Sequence, residues 1–208
     1  MRITVEELLE QYAAGERDFT GVDIFLELRE EGMYGINLSG ANFRYANLQR
    51  LITCSQGINL SGSDLRGVNL EYAHFERANL SGADLSYTNL WRACFDNANL
   101  SRADLSGGTL DEVIFFKANL REANLSGASL SQTCFLCADL TEVNFSFARF
   151  YQTDFSEANL TKVNFRGTQL EIIDNIESLV LCERVVFKDT LFKDTIMPDG
   201  TIRTKYID

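Results

Sequence analysis

The chain has 208 residues, a formal net charge of −11 and a hydrophobic content of 45%. Phosphate backbones repel a chain this acidic, which argues against direct nucleic-acid binding. No apolar run approaches the length that crosses a bilayer, and the acidic start does not resemble a signal peptide, so no membrane partner is expected. The cysteines are odd in number and follow no disulfide framework, which favours a reducing cytoplasm. They are Cys54, Cys94, Cys134, Cys137 and Cys182.

Residues 1–18 are predicted to form an N-terminal cap. Thr4-Val5-Glu6-Glu7 has the form of a capping box, and Ile3 and Leu8 are spaced as a hydrophobic staple. Gly15 is a suitable end for the helix. We therefore expect a short amphipathic α-helix over residues 4–14 that lies on the first coil of the domain.

From position 60 to position 170 every fifth residue is Leu or Phe, and the residue two positions earlier is nearly always small. A period of five fits neither the 3.6 residues of a helix turn nor the two of a strand. It requires a chain that turns a corner every five residues, which is typical of a repeat architecture. One continuous repeat domain is predicted over residues 19–170, with Phe19 and Ile24 as its first two apolar positions.

The repeat reads A-(N/D)-(L/F)-x-x, as in Ala78-Asn79-Leu80-Ser81-Gly82. It resembles the pentapeptide-repeat family over most of the chain. The resemblance implies an all-β solenoid, a right-handed quadrilateral β-helix with four pentapeptides in each coil. In that fold the first and third residues of each pentapeptide point into the lumen, and the second, fourth and fifth point outward.

A second period of twenty residues supports the square coil. Sorting the third residues by steps of twenty separates aromatic from aliphatic side chains, so like residues are expected to stack about 4.8 Å apart. The Phe column is Phe75, Phe95, Phe115, Phe135 and Phe155, and the Leu column is Leu60, Leu80, Leu100, Leu120, Leu140 and Leu160. The Asn and Asp residues at second positions are predicted to bond the backbone at the corners.

The repeat is interrupted at residues 25–35, 49–57 and 171–186. In the first interruption we expect a one-residue deletion that keeps Leu28 and Met33 in phase, and in the second a slip of two residues. Residues 171–186 are too apolar for a free tail, so a loop or short helix packed on the end of the barrel is predicted.

Residues 187–208 are predicted to form a final partial coil and a C-terminal tail. Phe187, Phe192 and Met197 return to the phase of the repeat. Met197-Pro198-Asp199-Gly200 is a strong turn signal that ends the coil. The closing residues 201–208 are either extended or frayed.

No catalytic, cofactor-binding or metal-binding residue is predicted. His74 is the one histidine, and no cysteine or carboxylate stands at a known catalytic spacing from it. Cys134-Phe-Leu-Cys137 has the CxxC form without the second pair that a zinc site needs. These two residues are interpreted as ordinary surface thiols, with a redox or metal role as the alternative. We therefore expect a protein that is not an enzyme.

One outer face carries apolar residues at positions where the other faces carry mostly polar ones. At second and fourth positions around the Phe column stand apolar residues of adjacent coils, which predicts a contiguous exposed patch and hence a site for a protein partner or for self-association. The candidate residues are Ile114, Phe116, Cys134 and Leu136, extended by Trp91 and Tyr151 on a neighbouring face. The alternative is that a loop or segment 171–186 covers the patch.

The chain looks like the pentapeptide-repeat proteins abundant in cyanobacteria. The likeness implies a non-enzymatic cytoplasmic scaffold whose protein partner is unknown, and it leaves a homodimer open. The alternative is a DNA mimic that modulates DNA gyrase, as some family members do. Residues 60–170 carry 13 acidic and 9 basic side chains, so only −4 of the −11 lies on the main barrel. Because a DNA mimic needs its charge along the rod, the scaffold is favoured.

Overall fold

A computed structural model of the protein describes residues 1–25, 35–48, 56–168 and 185–207. Within these residues the chain winds in coils of four pentapeptides. At most corners the first residue of one pentapeptide donates its backbone N–H to the carbonyl oxygen of the third residue of the previous one, as Ala78 N does to Phe75 O at 3.0 Å. The fifth residue between them has a positive φ, for example 61° at Arg77 and 65° at Gly82. These are the features of a type II turn.

Successive coils are joined by parallel backbone pairing at a spacing of twenty residues. Asn99 pairs with Asn119, Leu100 N donates to Asn119 O at 2.7 Å, and Asn119 N donates to Ala98 O at 2.9 Å. The second-position side chains add a ladder, since Asn119 Nδ2 donates to Asn99 Oδ1 at 3.2 Å and Ser101 N donates to the same oxygen at 3.1 Å. The predicted role of these amides at the corners is confirmed.

First and third positions are buried in nearly all of the described coils, which confirms the predicted lumen. The rings of the Phe column stack at centroid distances of 5.0–5.1 Å with interplanar angles of 17° or less. Near the C-terminal end Phe145, Phe150 and Phe165 also fill the lumen, and edge-to-face contacts connect their rings with this column. The core is therefore one continuous stack of apolar layers.

A strand and a helix close the N-terminal end. β1 (Arg2–Thr4) leads into α1 (Val5–Ala13) and pairs in parallel with β2 (Asp23–Phe25). The capping box is present, because Thr4 N donates to Glu7 Oε2 at 2.8 Å and Glu7 N donates to Thr4 Oγ1 at 3.1 Å. Leu8 is fully buried, and the Tyr12 hydroxyl donates to Ser39 O at 2.9 Å. The helix thus shields the edge of the first coil.

The early coils are longer than the regular twenty-residue coil. Asp18 pairs with Asn42, whereas a regular coil would bring it beside Leu38, so the first coil is longer by four positions. The one-residue deletion that we expected beside Leu28 falls outside the described residues and stays a prediction. Leu28 and Met33 themselves lie outside the described residues. Asn37 pairs with Asn59, two positions beyond its regular partner, which confirms the predicted slip.

Two short strands mark the later coils, β3 (Ser129–Ser131) and β4 (Arg149–Tyr151), which pair in parallel. The next coil is much longer than the regular one, since Asp154 pairs with Val186. Phe187 then stacks on Phe155 at 5.2 Å, so the phase of the repeat returns as predicted. Residues 169–184 lie outside the described part of the chain, so the prediction for segment 171–186 stays a prediction.

The C-terminal end is a hairpin of β5 (Thr190–Ile196) and β6 (Ile202–Ile207), which pair antiparallel. Gly200 N donates to Met197 O at 2.9 Å, so the proline-containing segment forms the turn as expected. The residues after it are extended rather than frayed. Their pairing with β5 covers backbone groups that the last coil would otherwise leave open.

Candidate protein-interaction face

The Phe-column face is the outer face over Phe75, Phe95, Phe115, Phe135 and Phe155. Ile114 pairs with Cys134 across adjacent coils, and Lys117 N donates to Leu136 O at 3.0 Å in the coil above Phe116. Ile114 is 43% exposed, whereas Phe116, Cys134 and Leu136 are half-buried. These four predicted residues therefore lie together, as two neighbouring pairs on one flat surface.

The apolar patch is partly screened by its own neighbour. The Lys117 ammonium lies 4.8 Å from the centroid of the Phe116 ring, a cation–π contact on the outer side of the face. Lys117 is exposed, and a lysine at a solvated site can leave a ring at low cost. A bound partner would need to displace this side chain or pair with it.

Trp91 lies on the adjoining face and is held by contacts within the chain. Its indole Nε1 donates to Glu112 Oε1 at 3.2 Å, and the Arg92 guanidinium lies 4.4 Å from its ring. Arg92 Nε also donates to Glu112 Oε2 at 2.7 Å, which lowers the pKa of the Glu112 carboxyl. Tyr72 meets the indole edge-on at 5.0 Å. These contacts give Trp91 a structural role, whereas Tyr151 at the end of β4 is exposed.

The described thiols are poorly suited to redox or metal chemistry. Burial raises the pKa of Cys94 to about 12, and it also raises the pKa of Cys134. The pKa of Cys137 is raised by burial and by Glu157, whose Oε2 accepts its S–H at 3.2 Å. Because the thiolate is the reactive form, a raised pKa lowers the reactivity of these groups at neutral pH. Within the described residues no group of three or more potential ligands could hold a metal ion.

A second surface feature escaped the sequence analysis. At one corner of the barrel Tyr45, Tyr87 and Phe147 occupy fifth positions, and the next coil has glycine at the same corner. Each ring lies on that glycine, so that a methyl group on Gly107 would come within 2.5 Å of Tyr87 Cε1. Sorting the fifth residues by steps of one coil, like the third residues, reveals this alternation of aromatic residue and glycine.

The repeating corners, buried lumen and closed ends define a solenoid repeat protein built from five-residue units. The family model for pentapeptide repeats matches in eight copies, over residues 33–51, 58–95, 93–132 and 138–171, which is more than half of the chain. The chain therefore belongs to the pentapeptide-repeat family, whose fold is the right-handed β-helix predicted from the sequence.

Several solved structures are similar to this chain. HetL, a pentapeptide repeat protein involved in heterocyst differentiation regulation in the cyanobacterium Nostoc sp. strain PCC 7120, is 26% identical over 97% of this chain and 100% of its own, with a TM-score of 0.35. A pentapeptide repeat protein of the Arabidopsis thaliana thylakoid lumen is 32% identical over 45% of this chain and 68% of its own, with a TM-score of 0.37.

QnrB1, a plasmid-mediated fluoroquinolone resistance protein, is 20% identical over 84% of both chains, with a TM-score of 0.43. Among curated protein sequences, none matches this chain. In the described part of the chain no helix is long and apolar enough to pass through a bilayer.

Proposed function

We propose that the protein is a non-enzymatic scaffold that binds a protein partner through the Phe-column face and works in the cytoplasm. The observation that carries the proposal is the set of apolar side chains at second and fourth positions. At most such positions the repeat places Asn, Asp or Ser. A contiguous apolar group on an outer surface is typical of an interaction site.

The architecture supports this role because it separates folding from recognition. The lumen residues are buried, and backbone bonds between coils hold the faces flat. Outward side chains other than the second-position amides contribute little to these terms, so the chain can vary them at small cost in stability. A rigid, flat face also loses little conformational entropy when a partner binds.

Charge mimicry of DNA is the alternative, and the ion pairs on the rod weigh against it. Several carboxylates are matched by bases one coil away, among them Glu112 with Arg92 at 2.7 Å and Glu122 with Arg102 at 3.0 Å. Glu142 is likewise paired with Lys162 at 2.8 Å. Matched pairs reduce the field that a DNA-binding enzyme would sense. Inhibition of gyrase supercoiling by the purified protein at low micromolar concentration would favour charge mimicry of DNA over the scaffold.

The scaffold proposal is tested by capture from a lysate with the intact chain as bait. The patch variant combines Phe116→Asp and Leu136→Asp, which adds two charges at fourth positions of adjacent coils. The matched control combines Ser81→Asp and Ser101→Asp, the same charge change at fourth positions of adjacent coils on the Leu-column face.

A specific partner should be captured by wild type and by the control variant and be lost from the patch variant. The fold of each bait is checked by circular dichroism before capture. Equal capture by wild type and the patch variant would remove the Phe-column face as the binding site. An unfolded patch variant beside a folded control would contradict the outward placement of Phe116 and Leu136.

A further inference from the structure

The exposed aromatic side chains are gathered on one side of the rod. Tyr45, Tyr87 and Phe147 are 65%, 78% and 69% exposed, and they share one corner. Of the other exposed aromatics among the described side chains, Tyr151 lies on the face that follows this corner, and Tyr72 lies at the far corner of that face. We name the corner and this face, which runs over Leu70, Leu90, Leu110, Leu130 and Phe150, the aromatic strip.

Backbone geometry shows that the fold does not require these rings. The φ angles of Tyr45, Tyr87 and Phe147 are 58°, 57° and 60°, in the left-handed region that glycine adopts most easily. Other coils place glycine at the same corner with nearly the same φ, as at Gly127 with 67°. Polar residues at other corners adopt the same φ, as Arg77 does at 61°, so the backbone does not select for an aromatic side chain and the exposed rings contribute to the surface.

The two ends of the strip carry opposite charge. Among the described residues from Arg44 to Glu112, the strip and the face before its corner hold six carboxylates and three arginines. From Asn124 to Gly167 the same surfaces hold two arginines and no carboxylate. The acidic end contains Asp64, Glu71, Asp84, Asp104, Asp111, Glu112, Arg44, Arg66 and Arg92, and the basic end contains Arg149 and Arg166.

Such a surface is complementary to itself when two copies run antiparallel, because the acidic end of each copy then faces the basic end of the other. The twofold axis falls between Gly107, which the Tyr87 ring covers, and Gly127, where nothing covers the corner. Tyr87 lies one coil before Gly107, and Phe147 lies one coil after Gly127. Because the Tyr87 ring lies on Gly107 and the Phe147 ring lies on Gly167, each Tyr87 ring faces the bare Gly127 corner of the second copy, and each Phe147 ring faces the Tyr45 ring on Gly67.

We propose that the aromatic strip is an interface between two copies of this chain in an antiparallel, twofold-symmetric dimer. In this arrangement Arg149 of one copy lies opposite the Trp91 coil of the other copy. Glu71 and Asp111 of that other copy lie one coil before and one coil after Trp91. The corner from Tyr45 to Gly167 spans six coil steps, about 29 Å at the spacing of paired strands. The aromatic pairs supply the apolar contact, and the charges set the direction of the second copy.

The first experiment is sedimentation velocity, with light scattering, over a range of protein concentrations. Wild type should approach twice the chain mass of 23.4 kDa as concentration rises. The double variant Tyr87→Gly, Phe147→Gly should keep the mass of a single chain. Because glycine suits the backbone at both positions, this variant should fold at least as well as wild type. The control Arg77→Gly, Asn97→Gly alters two fifth positions on another corner, with φ of 61° and 58°, and should dimerise like wild type.

The second experiment tests the direction of the dimer by charge reversal. Arg149→Glu should raise the dimer dissociation constant roughly tenfold, since it places like charges opposite Glu71 and Asp111. Adding Glu71→Arg to the same chain should recover most of the lost affinity. A parallel or end-to-end dimer would show no such recovery, which would overturn the antiparallel arrangement.

A wild-type protein that keeps the mass of a single chain at every concentration would overturn the proposal. A dimer that the Tyr87→Gly, Phe147→Gly variant leaves intact would also overturn it. Neither result bears on the Phe-column face, because capture of a partner is measured with variants on a different surface. The two proposals can therefore fail separately.

Discussion

Aromatic residues occupy two regions of this molecule under opposite physical conditions. In the lumen the Phe column is buried, and its rings stack face to face at about 5 Å. On the aromatic strip the rings of Tyr45, Tyr87 and Phe147 lie on glycine and face water. The lumen rings hold the coils together, whereas the strip rings add little to folding. The contrast locates stability in the third position of the repeat and leaves the outward positions to the recognition that we propose.

The largest effect that tests this contrast is expected in the lumen. Phe115→Ala should lower the free energy of unfolding by about 3–5 kcal/mol, because it removes a buried ring between Phe95 and Phe135 and leaves a cavity. Phe116→Ala, one residue later and half-buried on the outer face, should cost far less, on the order of 1 kcal/mol. Chemical denaturation of both variants makes the comparison. Equal losses would show that the outer face is packed like a core.

An intermediate effect is expected where the strip rings meet the backbone. Gly107→Ala and Gly127→Ala change the same corner, where φ is 64° and 67°. Each should lower the free energy of unfolding by about 1–2 kcal/mol, because alanine is strained in the left-handed backbone conformation. Gly107→Ala should cost roughly 1 kcal/mol more, since the new methyl group meets the Tyr87 ring, whereas nothing lies within 4 Å at Gly127. In a Tyr87→Gly background the difference should vanish. A difference that persists would mean that the ring is not the cause.

The smallest effect concerns the ion pairs between coils. Arg92 and Arg102 donate to Glu112 and Glu122 and lower the pKa of both carboxyls below the ordinary value of 4.5. A depressed folded-state pKa contributes stability that is present above the unfolded value and is lost as pH falls through the folded one. The melting temperature should therefore decline slightly below about pH 4.5, and less so at high salt.

Arg92→Gln combined with Arg102→Gln should flatten this slope between pH 5 and pH 3, as followed by thermal denaturation. An unchanged slope in the double variant would assign the acid sensitivity to other carboxylates.

Much of the fold follows from the sequence because each coil repeats the same local rule. A five-residue period places the first and third residues inward, and a twenty-residue period predicts the stacked Phe column. The capping box at Thr4 and the turn at Pro198 are also local signals. The length of the first coil was not predictable in this way, since the pairing of Asp18 with Asn42 depends on contacts between coils.

The surface was harder to predict than the lumen. The apolar neighbours Ile114 and Phe116 stood out because they replace polar residues of the repeat. The contacts of Trp91 with Arg92 and Glu112 connect successive coils, and the sequence alone gave no distance between them. The strip rings escaped notice because a tyrosine or phenylalanine at a fifth position looks like an isolated surface residue until the coils are aligned.

We propose that the outward positions around the Phe column carry recognition without carrying the fold. The first measurement uses one preparation of the Phe116→Asp, Leu136→Asp variant. Its unfolding midpoint and the proteins it captures from a lysate are compared with those of the Ser81→Asp, Ser101→Asp variant. We expect similar unfolding midpoints for the two variants and loss of one captured protein from the first variant alone. Similar capture by both folded variants would show that Phe116 and Leu136 do not form the binding site.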